Sequence, residues 1–371
     1  MPGHGYFFSP PPSAQSEPSP LEPSTCPRGM DHQSWIHYRL GLQELSRRTE
    51  DSLRRAVQCF EATLSNCPDY IPAHIYLAET LVLLSHSGYQ VFDPRTTLPK
   101  IRKHLGRAIR AQADSQTNAA ALALSAKVSL LFSFDFKRAE IDFERASELH
   151  RTYPPAYHGI AHLRVVQGNV EGAFEAIQEA HKCDPLSPML HATAGWLCYF
   201  TGAYEDGVER IRQTLKLHPH FPPGHVMLGL NLEALRRYDE AIHHYKVSLD
   251  LQLSSVPLAC LGHACGRDGR RREAREYLKR LHKLKEERFV NGLFFALVHL
   301  GLGDLDQTVT LLEQAYEERA DWLIQLGIDP RWRELDSNAR FVRLLKKVGV
   351  HKYWKEASLK NRGRQKSAGA S

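Results

Sequence analysis

The feature that most constrains this chain is a residue pattern that recurs every 34 positions. A segment that starts at Pro154 carries small and apolar residues at fixed offsets, and the same offsets return 34 and 68 residues later. After a one-residue deletion, two further copies keep the register. The small residues at the eighth position of successive copies are Ala161, Gly195, Gly229, Gly262 and Ala296. A period of this length indicates short helical pairs stacked in series as a solenoid, not one compact core.

Within each copy the pattern resembles the tetratricopeptide repeat, whose unit is two antiparallel helices, A and B. A small residue at position 8 lets helix B approach, and a larger residue at position 24 fills the gap between the helices. Proline at position 32 ends helix B. One copy shows these positions as Gly195, Ile211 and Pro219, and the next shows Gly229 and Tyr245. The resemblance implies an all-α fold, a right-handed superhelical solenoid of about eight helical hairpins over residues 34–328.

The upstream copies are less regular than the central ones. Ala56, Phe60 and Pro68 match the second half of a first unit. The second unit carries an insertion, SHSGYQVFDPRTTLP, before a helix predicted at about 99–113. A third unit begins near residue 116, so the pattern extends through the chain from about residue 35.

The end of the array also has a recognisable pattern. Asp329 and Pro330 are typical of a helix start, and apolar residues from Phe341 to Val348 follow a helical spacing before Gly349, which predicts a capping helix over 329–350. The segment is similar to the C-terminus of bacterial tetratricopeptide arrays found in winged-helix regulators, nucleotide cyclases and Ser/Thr kinases. The matching residues are Tyr316, Glu317, Glu318, Arg319, Trp322, Leu323, Asp329, Pro330, Arg331, Leu335, Arg340, Phe341, Leu344, Leu345, Lys346, Lys347 and Gly349. The resemblance implies a sensing or interaction half, either as a stand-alone array or as a chain whose assigned start omits an effector domain.

Composition limits the other classes of function. The net charge is +6, of which the last 21 residues contribute +5, so the array itself offers little field for nucleic acid. We expect residues 1–33, rich in Pro and Ser, and the basic tail, 351–371, to be disordered. Seven scattered cysteines without a C-x-x-C pair, and no signal peptide or membrane-length apolar stretch, predict a cytoplasmic chain that does not enter a membrane.

The candidate binding residues lie on helix A of three successive units and are predicted to face the concave groove. His158 and His162 are spaced i, i+4, which suits a metal pair, but plain polar groove residues are the favoured interpretation. Trp196, Tyr199 and Phe200 are the aromatic candidates in the next unit, where packing against the adjacent helix is the alternative interpretation. Leu230 and Glu233 extend the set into the third unit.

No catalytic or phosphate-binding motif is present in the sequence, and no cofactor is expected. The sequence therefore predicts a protein-interaction scaffold, not an enzyme, that holds a peptide or partner domain in its groove. The alternative is the sensor half of a bacterial transcriptional or cyclic-nucleotide regulator. The sequence leaves the partner and the oligomeric state open.

Overall fold

The computed structural model describes residues 25–111 and 113–353. Of the two ends predicted to be disordered, 1–33 and 351–371, residues 1–24 and 354–371 lie outside the described part, whereas a helix already begins at His32. All regular elements in the described part are helical, and sixteen of the α-helices form eight consecutive hairpins. The predicted all-α repeat architecture is confirmed.

We number the hairpins as pairs 1 to 8. Pairs 1 to 4 consist of α1 (His32–Arg47), α2 (Glu50–Asn66), α3 (Ile71–Ser85), α4 (Pro94–Arg110), α5 (Ser115–Val128), α6 (Phe136–Leu149), α7 (Pro154–Val166) and α8 (Val170–Cys183). Pairs 5 to 8 consist of α9 (Pro188–Thr201), α10 (Tyr204–Leu217), α11 (Pro222–Ala234), α12 (Tyr238–Leu251), α13 (Ser255–Arg267), α14 (Arg271–Glu287), α15 (Gly292–Gly301) and α16 (Leu305–Glu317).

The two helices of a pair meet as the repeat positions require. A Cβ atom on Gly195 would lie 2.4 Å from Cγ1 of Ile211, and one on Gly229 would lie 2.3 Å from Cε1 of Tyr245. Real Cβ atoms do not approach other atoms this closely, so only glycine admits the large residue at position 24 here. Position 8 and position 24 therefore fix the spacing of these two hairpins, as predicted, whereas a Cβ atom on Gly262 would meet Val298 of the following pair.

Proline at the end of helix B also joins one pair to the next. The carbonyl oxygens of Pro185 and Pro219 accept hydrogen bonds from Nε2 of His191 and His225, both at 2.9 Å. Pro68 makes the same contact with His74 at 2.8 Å. Proline has no N–H and stops the helix, and its carbonyl is then free to bind the following helix A.

Two helix boundaries differ from the sequence-based prediction. The helix expected at about 99–113 begins at Pro94, because Asp93 caps it through a hydrogen bond from the Arg95 N–H at 2.8 Å. Residues 329–350 do not form one helix. A 3₁₀ helix, Pro330–Leu335, is followed by the separate α17 (Ala339–Val348), which Asn338 caps.

The array curls until distant pairs touch. An insertion loop, residues 86–93, is almost wholly buried, and the carbonyl of Gly88 accepts a hydrogen bond from Nε2 of Gln252 at 3.4 Å. Nη2 of Arg288, which follows α14, also lies 2.7 Å from Oε2 of Glu50 at the start of α2. The end of pair 7 thus reaches pair 1, and the insertion loop contacts the end of pair 6.

Residues 318–338, which we call the C-terminal strap, follow the last pair and return to the face formed by the first helices of the pairs. The strap contains two 3₁₀ helices, Asp321–Gln325 and Pro330–Leu335. Its apolar side chains are buried: Leu323, Ile324, Leu326, Trp332 and Leu335 each expose at most 3% of their surface. The strap is therefore part of the hydrophobic core of the described chain.

Candidate functional site

Five of the seven candidate residues form one continuous group of rings on the inner face of pairs 4 and 5. The ring of His162 lies 4.7 Å from that of His158 and is stacked 4.7 Å from Trp196. Phe200 contacts Trp196 edge-on at 4.6 Å and Tyr199 at 5.1 Å. The i, i+4 spacing on one helix and the 34-residue offset to the next produce this contact. The structure thus brings these five side chains together, as their repeat positions suggest.

Most of this group is buried. Trp196 exposes 6% and Tyr199 exposes 2% of its surface, whereas His162 and Phe200 are only half-buried. His158 is buried and its Nε2 lies 3.2 Å from Oγ1 of Thr193. His162 and Phe200 are consequently the members of the group that present the most surface.

Leu230 joins the group at a small cavity. The cavity is lined by His86, Leu131, His162, Met189, Trp196, Val226, Met227, Leu230, Trp322 and Gln325. About 30 Å³ of it is open to the centre of a water molecule, which is room for about two waters. Two of its walls, Trp322 and Gln325, belong to the strap, so the strap limits the cavity's size.

The strap covers the inner face of the later pairs through a buried polar network. The carboxylate of Asp329 accepts a hydrogen bond from the Tyr199 hydroxyl at 2.7 Å and forms an ion pair with Arg331 at 2.5 Å. Nη1 of Arg331 lies 3.8 Å from Sγ of Cys260. Burial alone would raise the pKa of Asp329, but Arg331 outweighs it and holds that pKa below its usual value. The charges of this pair are therefore retained in the interior.

Glu233 belongs to a neighbouring part of the same interior. Its carboxylate accepts a hydrogen bond from the Tyr245 hydroxyl at 2.7 Å and contacts Nδ1 of His263. Burial favours the neutral acid, but the interaction with His263 lowers the pKa of Glu233 overall. All the partners of Glu233 named here are residues of pairs 6 and 7.

The other end of the strap is fixed at the insertion loop. The backbone N–H of Ser87 donates to Oδ2 of Asp321 at 3.0 Å, and the Ser87 hydroxyl also donates to this carboxylate. Nε2 of His86 lies 3.0 Å from the same oxygen. Burial raises the pKa of Asp321 to about 6 and lowers that of His86. Residues 234 positions apart thus hold the strap against the second pair.

The imidazoles of the ring group are neutral at pH 7. Burial, and then the positive charge of Lys127, lowers the pKa of His162 to about 3. Within residues 25–111 and 113–353, no group of three or more His, Cys, Asp or Glu side chains is arranged to hold a metal ion. None of the helices in that part of the chain is long and apolar enough to cross a membrane.

Sequence reasoning missed the residues that cover the site. His86 lies in the insertion, and Trp322 and Gln325 lie beyond the last repeat. None of these three residues therefore belongs to the 34-residue period. Arg48 and Lys127, on the inner face of pairs 1 and 3, were also outside the candidate set. The signal that could have pointed to these residues is that the sequence contains an insertion and a terminal motif which the repeat does not require.

No family-level sequence profile matches this chain. The transcriptional regulator HilA of Salmonella typhimurium is 24% identical over 175 residues, which cover 47% of this chain and 31% of HilA. The HilA of Salmonella typhi matches to the same extent. The chain thus spans less than a third of the length of these relatives.

Two solved structures are similar over most of the chain. A Rap protein complexed with competence and sporulation factor has a TM-score of 0.58 and 12% identity, covering 88% of this chain and 98% of its own. Yeast Tom70 has a TM-score of 0.51 and 15% identity, covering 93% of this chain and 68% of its own. Both are helical-repeat proteins of the tetratricopeptide type. The fold is therefore a tetratricopeptide-type solenoid.

Proposed function

We propose that this protein is a protein-interaction scaffold that binds a peptide or a partner domain on the inner face of its solenoid, without catalysing a reaction. The observation that carries the proposal is the continuous ring group at pairs 4 and 5, which ends in a small apolar cavity. Repeat solenoids expose an extended concave surface suited to such partners. The predicted cytoplasmic location is part of this proposal.

The candidate residues divide into two groups under this proposal. His162 and Phe200 provide the exposed contact surface, with Trp196 and Leu230 behind them at the cavity. Tyr199 and Glu233, which hold hydrogen bonds to other parts of the fold, and the buried His158 support these contacts from within. A small apolar side chain of the partner fits the cavity, because a larger one would have to displace Trp322 or Gln325 of the strap.

A photo-crosslinking experiment tests this assignment. A benzoylphenylalanine is placed at His162 in one variant and at Lys279 in another, whose side chain is 72% exposed on α14. Both variants are irradiated with a randomised peptide library, and the captured peptides are sequenced by mass spectrometry. We expect peptides with a shared small apolar residue from the variant at position 162 alone. Equal capture at both positions would contradict the proposal.

Two substitutions, one at Phe200 beside Trp196 and one at a distant exposed residue, provide a test with a matched control. Phe200→Ser should weaken a selected peptide by at least about tenfold, since an aromatic contact is lost. Ile141→Ser removes an apolar side chain of α6 that is 42% exposed, and should leave affinity unchanged. Calorimetric titration measures both, and an unchanged affinity in Phe200→Ser would place binding elsewhere.

A second candidate function is the sensor half of a transcriptional regulator, and the partial match to HilA favours it. Under this hypothesis the partner is a DNA-binding protein or domain. The test is whether the chain changes transcription in a purified system that contains such a protein encoded beside it. An effect abolished by Phe200→Ser would support the hypothesis, and no effect on transcription would contradict it.

A further inference from the structure

The outer surface of the second pair carries a concentration of positive charge. Its second helix, α4, contains six Lys or Arg residues and no Asp or Glu, which is a net charge of +6. The second helices of the other seven pairs carry net charges between −3 and +3. Residues 1–350 together carry +1, so the part of that stretch outside α4 carries −5. The positive charge is therefore segregated onto one helix, although the composition of the whole array is nearly neutral.

Four of these cations form a single row along the exposed side of α4, with the spacing i, i+3, i+7, i+10. This group, which we call the basic row, consists of Lys100, Lys103, Arg107 and Arg110. The buried residues with the same spacing begin two positions earlier and are Leu98, Ile101, Leu105 and Ala108. A shift of two positions is a rotation of about 200° around a helix, so the basic row lies opposite the buried side. The row is about 15 Å long, because a helix rises 1.5 Å per residue.

Most of the basic row lacks an acidic partner. Arg107 pairs with Asp69 at 2.7 Å, but the Asp69 side chain is 87% exposed and the pair is screened by solvent. No carboxylate in the part of the chain that the structure describes forms an ion pair with the other three cations. On α14, by contrast, four glutamates are interspersed among seven cations. The basic row thus presents unpaired charge that an acidic partner can neutralise.

The surroundings of α4 limit the width of such a partner. The second helices of the preceding and following pairs, α2 and α6, carry a net charge of −1 each. Their exposed acids include Asp51, Glu61, Glu140, Glu144 and Glu148. Packed helices are spaced by about 8–10 Å, so a DNA duplex or an anionic membrane would meet these acids as well as the basic row. One helix is about 10–12 Å wide with its side chains, and it fits along the basic row alone.

We propose that the basic row binds an acidic segment of a partner protein, one helix wide, whose carboxylates have the matching spacing i, i+3, i+7, i+10. Each cation of the row pairs with one carboxylate of the segment. The row lies on the outside of the solenoid, so the inference goes beyond the proposed function by adding a second docking surface to the inner face. Because the pairs are exposed, the affinity is modest and falls as the ionic strength rises.

The test uses the intact protein and a designed acidic peptide. The probe is a fluorescein-labelled, alanine-based helical peptide with glutamates at i, i+3, i+7 and i+10. The control peptide has the same composition, but its glutamates are distributed around the helix. Fluorescence anisotropy measures the binding of both at low and at physiological ionic strength. We expect the matched peptide to bind at least about threefold more tightly than the control, because only its carboxylates reach the row together.

Two triple variants with the same net charge separate the basic row from the general field of the protein. The first removes the three cations of the row that lack an acidic partner, by Lys100→Gln, Lys103→Gln and Arg110→Gln. The second removes three exposed cations of α14, by Arg271→Gln, Arg275→Gln and Lys283→Gln. We expect the first to weaken the matched peptide at least about tenfold and the second less than about threefold. All six side chains are exposed, so both variants should fold, which circular dichroism and thermal melting check.

Probes of other classes complete the test. A DNA duplex and vesicles of phosphatidylserine with phosphatidylcholine should bind more weakly than the matched peptide, since the acids of α2 and α6 repel a wide anion. A duplex or vesicle that binds as tightly as the peptide, and loses affinity equally in the first variant, would overturn the assignment to an acidic protein segment. Equal losses in the two variants, no preference for the matched peptide, or no peptide binding to the wild type would overturn the docking surface itself.

Discussion

The inner faces of the first and second halves of the solenoid are built from the same repeat, yet they differ in what lies on them. In pairs 1 to 4 the inner face carries half-buried charged and polar groups such as Glu79, Lys127 and His162. In pairs 5 to 7 the equivalent face, with Tyr199 and Glu233, is buried under the strap or in contact with neighbouring pairs. The repeat determines which face of each pair points inward, whereas the segments outside the repeat determine whether that face is exposed to a partner.

Among the substitutions that test this contrast, Arg331→Met should cause the largest loss of unfolding free energy. The substitution leaves the carboxylate of Asp329 charged and buried without its counter-ion, which costs about 3–5 kcal/mol of unfolding free energy. Arg340→Gln breaks the exposed pair with Glu313 and should cost no more than about 1 kcal/mol. Urea denaturation of both variants measures the difference. Equal, small losses would show that the strap is not held by a buried pair.

A smaller loss of stability is expected when a methyl group is added between the two helices of a pair. In Gly229→Ala the new methyl group meets the Tyr245 ring, which cannot move freely because its hydroxyl is bound to Glu233 at 2.7 Å. We expect a loss of about 1–3 kcal/mol in thermal denaturation. Gly106→Ala on α4 faces only the flexible Arg110, and should stabilise the protein by up to about 1 kcal/mol. Destabilisation of the same size in both variants would contradict this account of the hairpin spacing.

The smallest expected effect is on the pH dependence of stability, and it involves one histidine pair from each half of the solenoid. Nδ1 of His74 lies 2.7 Å from Nδ1 of His104, and Nδ1 of His225 lies 3.1 Å from Nδ1 of His244. Burial and the neighbouring imidazole lower the pKa of His104 and of His244 to about 4. The folded state therefore binds fewer protons than the unfolded state, and stability should fall as the pH falls from about 6.5 towards 4.

Two variants and one opposing group check the sign of this dependence. His104→Gln and His244→Gln should each flatten the loss of stability by less than about 1 kcal/mol, because these rings are only half-buried. Asp321 acts in the opposite direction, since its pKa is raised to about 6 and it gains a proton more readily in the folded state. Thermal melting between pH 7.5 and 4.5 measures all three groups, and a steeper loss in either histidine variant would contradict the assignment.

The fold could be predicted because its determinants are local and periodic. Gly195 and Ile211, or Gly229 and Tyr245, lie 16 residues apart and are repeated at a fixed offset. Helix starts were predictable where a cap was recognised, as at Asp329 with Pro330. The same signal at Asp93 with Pro94 was missed, which displaced the start of α4 by five residues.

The burial of the site under the strap could not be predicted, because it depends on contacts that do not recur with the repeat. Ser87 and Asp321 are 234 residues apart, and Tyr199 and Asp329 are 130 residues apart. Tyr199 stands at position 12 of the repeat, but nothing in the repeat indicates that a later segment binds its hydroxyl. The binding role of the seven candidate residues stays a prediction.

A double-mutant cycle on Tyr199→Phe and Asp329→Asn tests most directly whether the strap lies on the inner face of pair 5. Residues in direct contact show coupling free energies of about 0.5–3 kcal/mol, whereas distant residues are additive within about 0.3–0.5 kcal/mol. Urea unfolding of the two single variants and the double variant gives this coupling. We predict a coupling of at least about 1 kcal/mol, and additive effects would contradict the arrangement on which the account depends.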